Sequence, residues 1–134
     1  MASLKSWVKA ARLRTLPLAM SGILMGAALS FLDNGFNTTV NVLAIVTALF
    51  IQIFSNFAND YGDSQKGTDN QHRVGPKRTV QSGEISPQQM KVGMIVLILL
   101  SLTTGIWLIA EGTKGLDRTT FLLFLAFGVV ALIA

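Results

Sequence analysis

The sequence predicts an all-α integral membrane protein, a multi-helix transmembrane bundle. Three observations predict it. Hydrophobic residues make up 51% of the 134 residues and charged ones 13%, too apolar a balance for an ordinary soluble domain. Three apolar segments, Leu16–Leu32, Val40–Ala58 and Val92–Ala110, have 17, 19 and 19 residues, in the range of about 17–25 that spans a bilayer. Lysine and arginine are divided unevenly among the connections.

The first element, Ser3–Leu13, mixes Trp7 and Val8 with Lys5, Lys9 and Arg12 at helical spacing, the pattern of an interfacial helix. Thr15-Leu16-Pro17 opens the first spanning helix, about 16–32, with proline tolerated in the first turn. That apolar run is longer than a signal-peptide core, with no convincing small-x-small cleavage site before Asn34, so it reads as a retained helix. Gly22, Gly26 and Ser30 repeat every four residues, a face suited to close packing, for another helix of the same chain rather than a second copy. A second helix is predicted over about 40–60 and a loop over about 61–86. Ser86-Pro87-Gln88-Gln89 then reads as an N-cap, a first-turn proline and a capping-box glutamine, opening a helix over about 87–110. The last run, Thr119–Ala134, has 16 residues. At about 1.5 Å each it falls short of a ~30 Å hydrocarbon core. A helix cut at that point is expected of the N-terminal part of a longer protein, with residues 1–134 belonging to one domain.

Four of the 11 basic residues (Lys5, Lys9, Arg12, Arg14) precede the first spanning helix. Five (Lys66, Arg73, Lys77, Arg78, Lys91) lie between the second and third, and two (Lys114, Arg118) follow the third. The connection 33–39 has none. The N-terminus and the loop 61–86 are therefore expected on the cytoplasmic side. The net charge of +4 is accounted for by this topology, with no nucleic-acid partner. The absence of cysteine excludes disulfides, thiolate metal sites and cysteine nucleophiles.

Residues 56–78 carry the chemistry. At about 100° per residue, Gln52, Asn56, Asn59, Asp60 and Asp63 fall within an arc of about 100°, whereas Phe54, Phe57 and Ala58 lie elsewhere. Such a stripe is expected to face a bundle interior. Asp60, Asp63 and Asp69 lie within ten residues of one another and repel unless a cation or basic groups compensate. Carboxylates suit a hard cation such as Mg²⁺, and the following Arg73, Lys77 and Arg78, which flank a Gly75-Pro76 turn, suit a phosphate. Together they point to a membrane enzyme handling a diphosphate. Other readings of these residues stay open: amides that glue helices, carboxylates paired with Lys66 or Arg73, and basic residues that only set topology. Gly62-x-x-x-x-Gly67 lacks the Lys-Ser/Thr of a P-loop, His72 is the single histidine, and no Gly-x-Ser-x-Gly is present.

The stretch Asn59-Asp60-Tyr61-x-Asp63-x-x-x-Gly67-x-Asp69, followed by Arg73-x-Gly75-Pro76-x-Arg78-x-Val80-x-x-Gly83-x-x-Ser86, resembles the UbiA superfamily of membrane prenyltransferases. Ala11-Arg12-x-Arg14-Thr15-Leu16-Pro17 resembles the start of that family's first helix. The superfamily pattern Asn-Asp-x-x-Asp-x-x-x-Asp is met at Asn59, Asp60 and Asp63. Its last position is Gly67 here, with Asp69 following, a departure that resembles the family's naphthoate branch. Nothing matches the family's second Asp-rich motif, which lies in its C-terminal half. The family's complete bundle has nine helices, so this chain would supply the first third to half.

The resemblance implies transfer of a polyprenyl group from polyprenyl diphosphate to 1,4-dihydroxy-2-naphthoate, with loss of CO₂ and diphosphate, giving demethylmenaquinone in a cell inner membrane. It implies Mg²⁺ on Asp60, Asp63 and Asp69. Asp60, Asp63, Lys66 and Arg73 would be catalytic; Asn56, Asn59, Lys77, Arg78, Arg12 and Arg14 would bind substrate. A sister acceptor (4-hydroxybenzoate, homogentisate or haem) and a non-catalytic protein binding a cation or lipid are the alternatives.

Overall fold

Residues 2–66 and 78–133 are described by a computed structural model of the chain. The order is α1 (Leu4–Ala11), a 3₁₀ turn (Leu13–Thr15), α2 (Leu16–Leu32), α3 (Thr38–Lys66), α4 (Pro87–Gly112) and α5 (Arg118–Ile133). No strand occurs among the described residues.

α1 begins where the Ser3 hydroxyl accepts from the Ser6 N–H at 3.2 Å. It ends at Arg12, whose left-handed backbone (φ 51°) breaks the helix and turns the chain into α2. At the far end of α2, Asn34 is also left-handed (φ 56°), and the Asn37 carboxamide oxygen accepts from the Val40 N–H at 3.1 Å to open α3. α4 starts with the capping box expected at Ser86 and Gln89.

α3 runs six residues beyond the expected end at 60, through Lys66, so residues 61–66 are helical rather than part of a loop. Gly62 lies inside this extension. A glycine inside a helix costs only about 1 kcal/mol, and the helix continues through it. With 29 residues, α3 is roughly 43 Å long. That exceeds a ~30 Å hydrocarbon core by more than two turns, which carries its polar end into the interface.

α4 packs along α3, with α2 on α3 and α5 on α4. In the apolar middle, Thr47 Oγ1 donates to Thr104 Oγ1 at 2.9 Å, and Thr104 donates back to its own Leu100 carbonyl at 2.9 Å. Between membrane helices such a bond contributes on average about 0.6 kcal/mol. The outer faces of α2, α4 and α5 expose large apolar side chains such as Met25, Leu99 and Phe127, as surfaces bathed in lipid do. The small face of α2 differs from expectation: a Cβ added at Gly22 or Gly26 would meet nothing within 4 Å. Among the described residues no helix covers that face, because α2 meets α3 along a different side.

The well-buried core lies at one end of the bundle. Ala10, Ala11, Phe57, Val80, Ile85, Met90 and Leu97 come together there, with Trp7 packed against them. The Trp7 and Phe57 rings are 5.4 Å apart. Gly93 lets the Trp7 ring approach, since a Cβ there would lie 2.9 Å from it. Three segments distant in sequence (α1, the end of α3, and residues 78–90) are thus locked at the end that carries the polar residues.

A candidate site at the polar end of α3

The polar stripe divides between two environments. Asn56 and Asp60, one turn apart, are 4% and 2% exposed. Asn59 is exposed, and Gln52 and Asp63 are intermediate. The packed side of this end of α3 is formed by Asp60, Asn56 and Phe57, which are 2%, 4% and 6% exposed, so it is turned about a sixth of a turn from the centre of the stripe toward Phe57. Trp7 from α1 and Met90 and Met94 from α4 cover the Phe57 side. The carboxylate and the amide are enclosed by specific partners.

Asp60 has such partners on two other segments. Arg12 Nη2 donates to its Oδ1 at 2.5 Å. The Thr79 backbone N–H and hydroxyl donate to Oδ2 at 3.2 and 2.9 Å. Arg78 Nε lies 4.0 Å from Oδ1. Arg78 also donates through Nη1 to the Asn59 carbonyl at 2.6 Å and pairs with Asp63. Burial lowers the Arg78 pKa, as does the nearby Arg12 charge, while Asp60 raises it. An arginine retains its charge through such shifts. The end of α3 therefore presents two carboxylates and two guanidiniums in one alternating cluster.

Asn56 Nδ2 donates to the Ala11 carbonyl at 2.9 Å and to Thr15 Oγ1 at 3.1 Å, holding the bend between α1 and α2. Arg14 is exposed in the 3₁₀ turn, and Lys66 closes α3. Asp69, Arg73 and Lys77 lie outside the described residues. Lys91 Nζ is 5.4 Å from the centre of the Tyr61 ring.

Sequence reasoning missed Thr79 and Glu84. Thr79 carries no compositional signal, and its role depends on the chain folding back from residue 78. Glu84 accepts from Lys9 Nζ at 2.5 Å. That hydrogen bond holds its carboxyl below the ordinary 4.5. Because the folded pKa is depressed, the contribution of this pair is complete above the unfolded value and is lost as pH falls through the folded one. The pair is exposed, so the effect is local. The chain contains no cysteine, so a single Val8→Cys spin label reports on α1 alone. Its mobility is expected to rise as pH drops below about 4.5. Glu84→Gln is expected to show that mobility already at neutral pH. A label unchanged by acid would contradict the assignment.

Among the described residues, no three His, Cys, Asp or Glu side chains converge as a metal site. The donor test separates the two carboxylates. Asp60 is enclosed and engaged by N–H and O–H donors, whereas the Asp63 side chain is 34% exposed and can offer an oxygen to a cation.

Among the described residues, three helices are long and apolar enough to cross a membrane: Leu4–Leu32 taken through its bend, Thr38–Gln65 and Pro87–Gly112. Fold and site together define a multi-pass membrane protein with an acidic and basic cluster at one end of its helices. Comparison with known proteins supplies the family. Residues 16–134 match the UbiA prenyltransferase family, and the chain belongs to it. It is 42% identical over 133 residues to a protein of Haemophilus influenzae named 1,4-dihydroxy-2-naphthoate octaprenyltransferase, an alignment covering 98% of this chain and 42% of that protein. The Escherichia coli protein of the same name is 40% identical over 130 residues, covering 97% of this chain and 42% of the relative. A Mycobacterium tuberculosis protein of that name is 35% identical over 120 residues, covering 84% of this chain and 41% of the relative. The chain thus spans about two-fifths of the length of these curated relatives. No solved structure matches it.

Proposed function

We propose that this chain contributes the diphosphate-binding end of a 1,4-dihydroxy-2-naphthoate polyprenyltransferase. The observation that carries the reading is the similarity to proteins of that name along nearly the whole chain. In the proposed reaction the allylic C–O bond of the polyprenyl diphosphate breaks and diphosphate leaves. The ring carbon that bears the carboxylate forms the new C–C bond. CO₂ departs and returns its electron pair to the ring, which gives demethylmenaquinone in its quinol form.

Arg78 presents a planar fork beside the half-buried Asp63, suited to phosphate oxygens. Lys66, Arg73 and Lys77 add positive charge around the leaving group in this reading, and Asn59 and Arg14 border the site. Mg²⁺ held by Asp63 and Asp69 would offset the charge that builds on the diphosphate. The apolar helices next to the site exclude water from the allylic cation, and aromatic faces stabilise it.

The positive-charge asymmetry supports a cytoplasmic N-terminus and site in the inner membrane. The Lys9–Glu84 and Arg12–Asp60 pairs put α1 and the segment after residue 78 at the same end.

Membranes containing the protein, given labelled polyprenyl diphosphate and carboxyl-labelled 1,4-dihydroxy-2-naphthoate, are expected to release one CO₂ per prenylated product. Preferential prenylation of 4-hydroxybenzoate or homogentisate would reassign the acceptor. No prenylation of any acceptor would overturn the reading.

A further inference from the structure

We propose that Asp60 is a positioning residue, an internal counter-ion that clasps α1 and the 79–85 turn onto α3, and that it is not a ligand of the cation. The inference builds on the proposed function in one respect: it says which carboxylate of the cluster is left to meet a diphosphate-bound cation.

Occupancy carries the argument. A carboxylate offers about four lone-pair directions. Oδ2 of Asp60 already accepts two hydrogen bonds, from the Thr79 N–H and hydroxyl. Oδ1 accepts from Arg12, with Arg78 Nε 4.0 Å away. The residue is 2% exposed. Mg²⁺ demands near-octahedral geometry at about 2.0–2.1 Å and keeps several of its waters. Three of the four directions at Asp60 are taken, and the one left on Oδ1 lies beside the Arg78 guanidinium with no room for a hydrated ion.

The donors also share a purpose. Arg12 lies 48 residues before Asp60 and Thr79 lies 19 after it. Arg12 is the left-handed residue that ends α1, a backbone region disfavoured for a side chain of its size. Its guanidinium reaches Asp60 from that bend. Thr79 begins the turn that buries Val80 and Ile85, the latter fully. One carboxylate thus joins the bend, the polar end of α3 and the returning chain. Asp63, three residues on, sits at the open margin of the same cluster.

Hydrogen–deuterium exchange on the protein in lipid nanodiscs separates a clasp from a metal ligand without measuring turnover. In the wild type, amides of residues 4–12 and 79–85 are expected to be protected equally in EDTA and in millimolar Mg²⁺. Asp60→Asn is expected to speed their exchange roughly tenfold in both conditions, the scale of losing a charge-assisted hydrogen bond. Arg12→Gln is expected to do the same, and a cation-ligand role for Asp60 gives no reason for it to. Arg12→Gln also carries the test if Asp60→Asn fails to fold. Wild-type protection that appears only with Mg²⁺, or wild-type exchange in Arg12→Gln, would overturn the proposal. Neither outcome depends on which acceptor the protein prenylates.

Discussion

Asp63→Asn is expected to lower polyprenyl transfer by at least about 10²–10³-fold, the scale of losing one group aimed at developing charge, while membrane insertion stays intact. Asp63 sits one turn beyond Asn59, in the part of α3 that extends past the hydrocarbon core. Its side chain is a third exposed and pairs with Arg78. Asparagine keeps its shape and one acceptor oxygen but removes the charge that would hold a divalent cation, and it leaves Arg78 without that anion. Transfer measured in membranes across a Mg²⁺ titration checks this. The loss is expected to be relieved only partly by high Mg²⁺ if the carboxylate is a ligand. Wild-type turnover in the variant would remove Asp63 from the chemistry.

Asp63 could be picked out from sequence because its chemistry is local. A long apolar run ends in amides and carboxylates at helical spacing, and the capping box at Ser86 marks where the next helix starts. Such signals extend over a few residues and survive in any fold that keeps the helices. The partners of Asp60 are of another kind. Arg12 is one of several basic residues before α2, and positive charge there has a sufficient explanation in topology. Only the left-handed break at Arg12 turns its side chain back toward α3. Thr79 becomes a donor because the chain folds back and buries Val80 and Ile85. Periodicity placed Asn56 and Asp60 on the inner face of α3, where they are buried, but centred that face about a sixth of a turn off, on the side away from Phe57. It ranks residues by polarity, whereas the packed face was decided by Trp7 and Met90 meeting Phe57.

The same distinction yields the second large effect, at Asn56. Its Nδ2 must be the atom facing Ala11, because a backbone carbonyl only accepts. It reaches Thr15 Oγ1 as well, and that hydroxyl in turn donates to the Arg12 carbonyl at 2.9 Å. Asn56 therefore stabilises the bend between α1 and α2 from a site that is 4% exposed. Asn56→Ala removes a buried donor and leaves the Ala11 carbonyl unmatched, a loss of about 1–3 kcal/mol, read as a lower midpoint in denaturing-detergent titration and a freer label at Val8→Cys. Asn56→Asp is the sharper variant. A residue that ligates a cation would tolerate the carboxylate at least as well as the amide. A donor to a carbonyl would not, and the new charge would also lie one turn from the buried Asp60. Asn56→Asp is thus expected to be less stable than Asn56→Ala, and the reverse order would return Asn56 to the ligand-binding set.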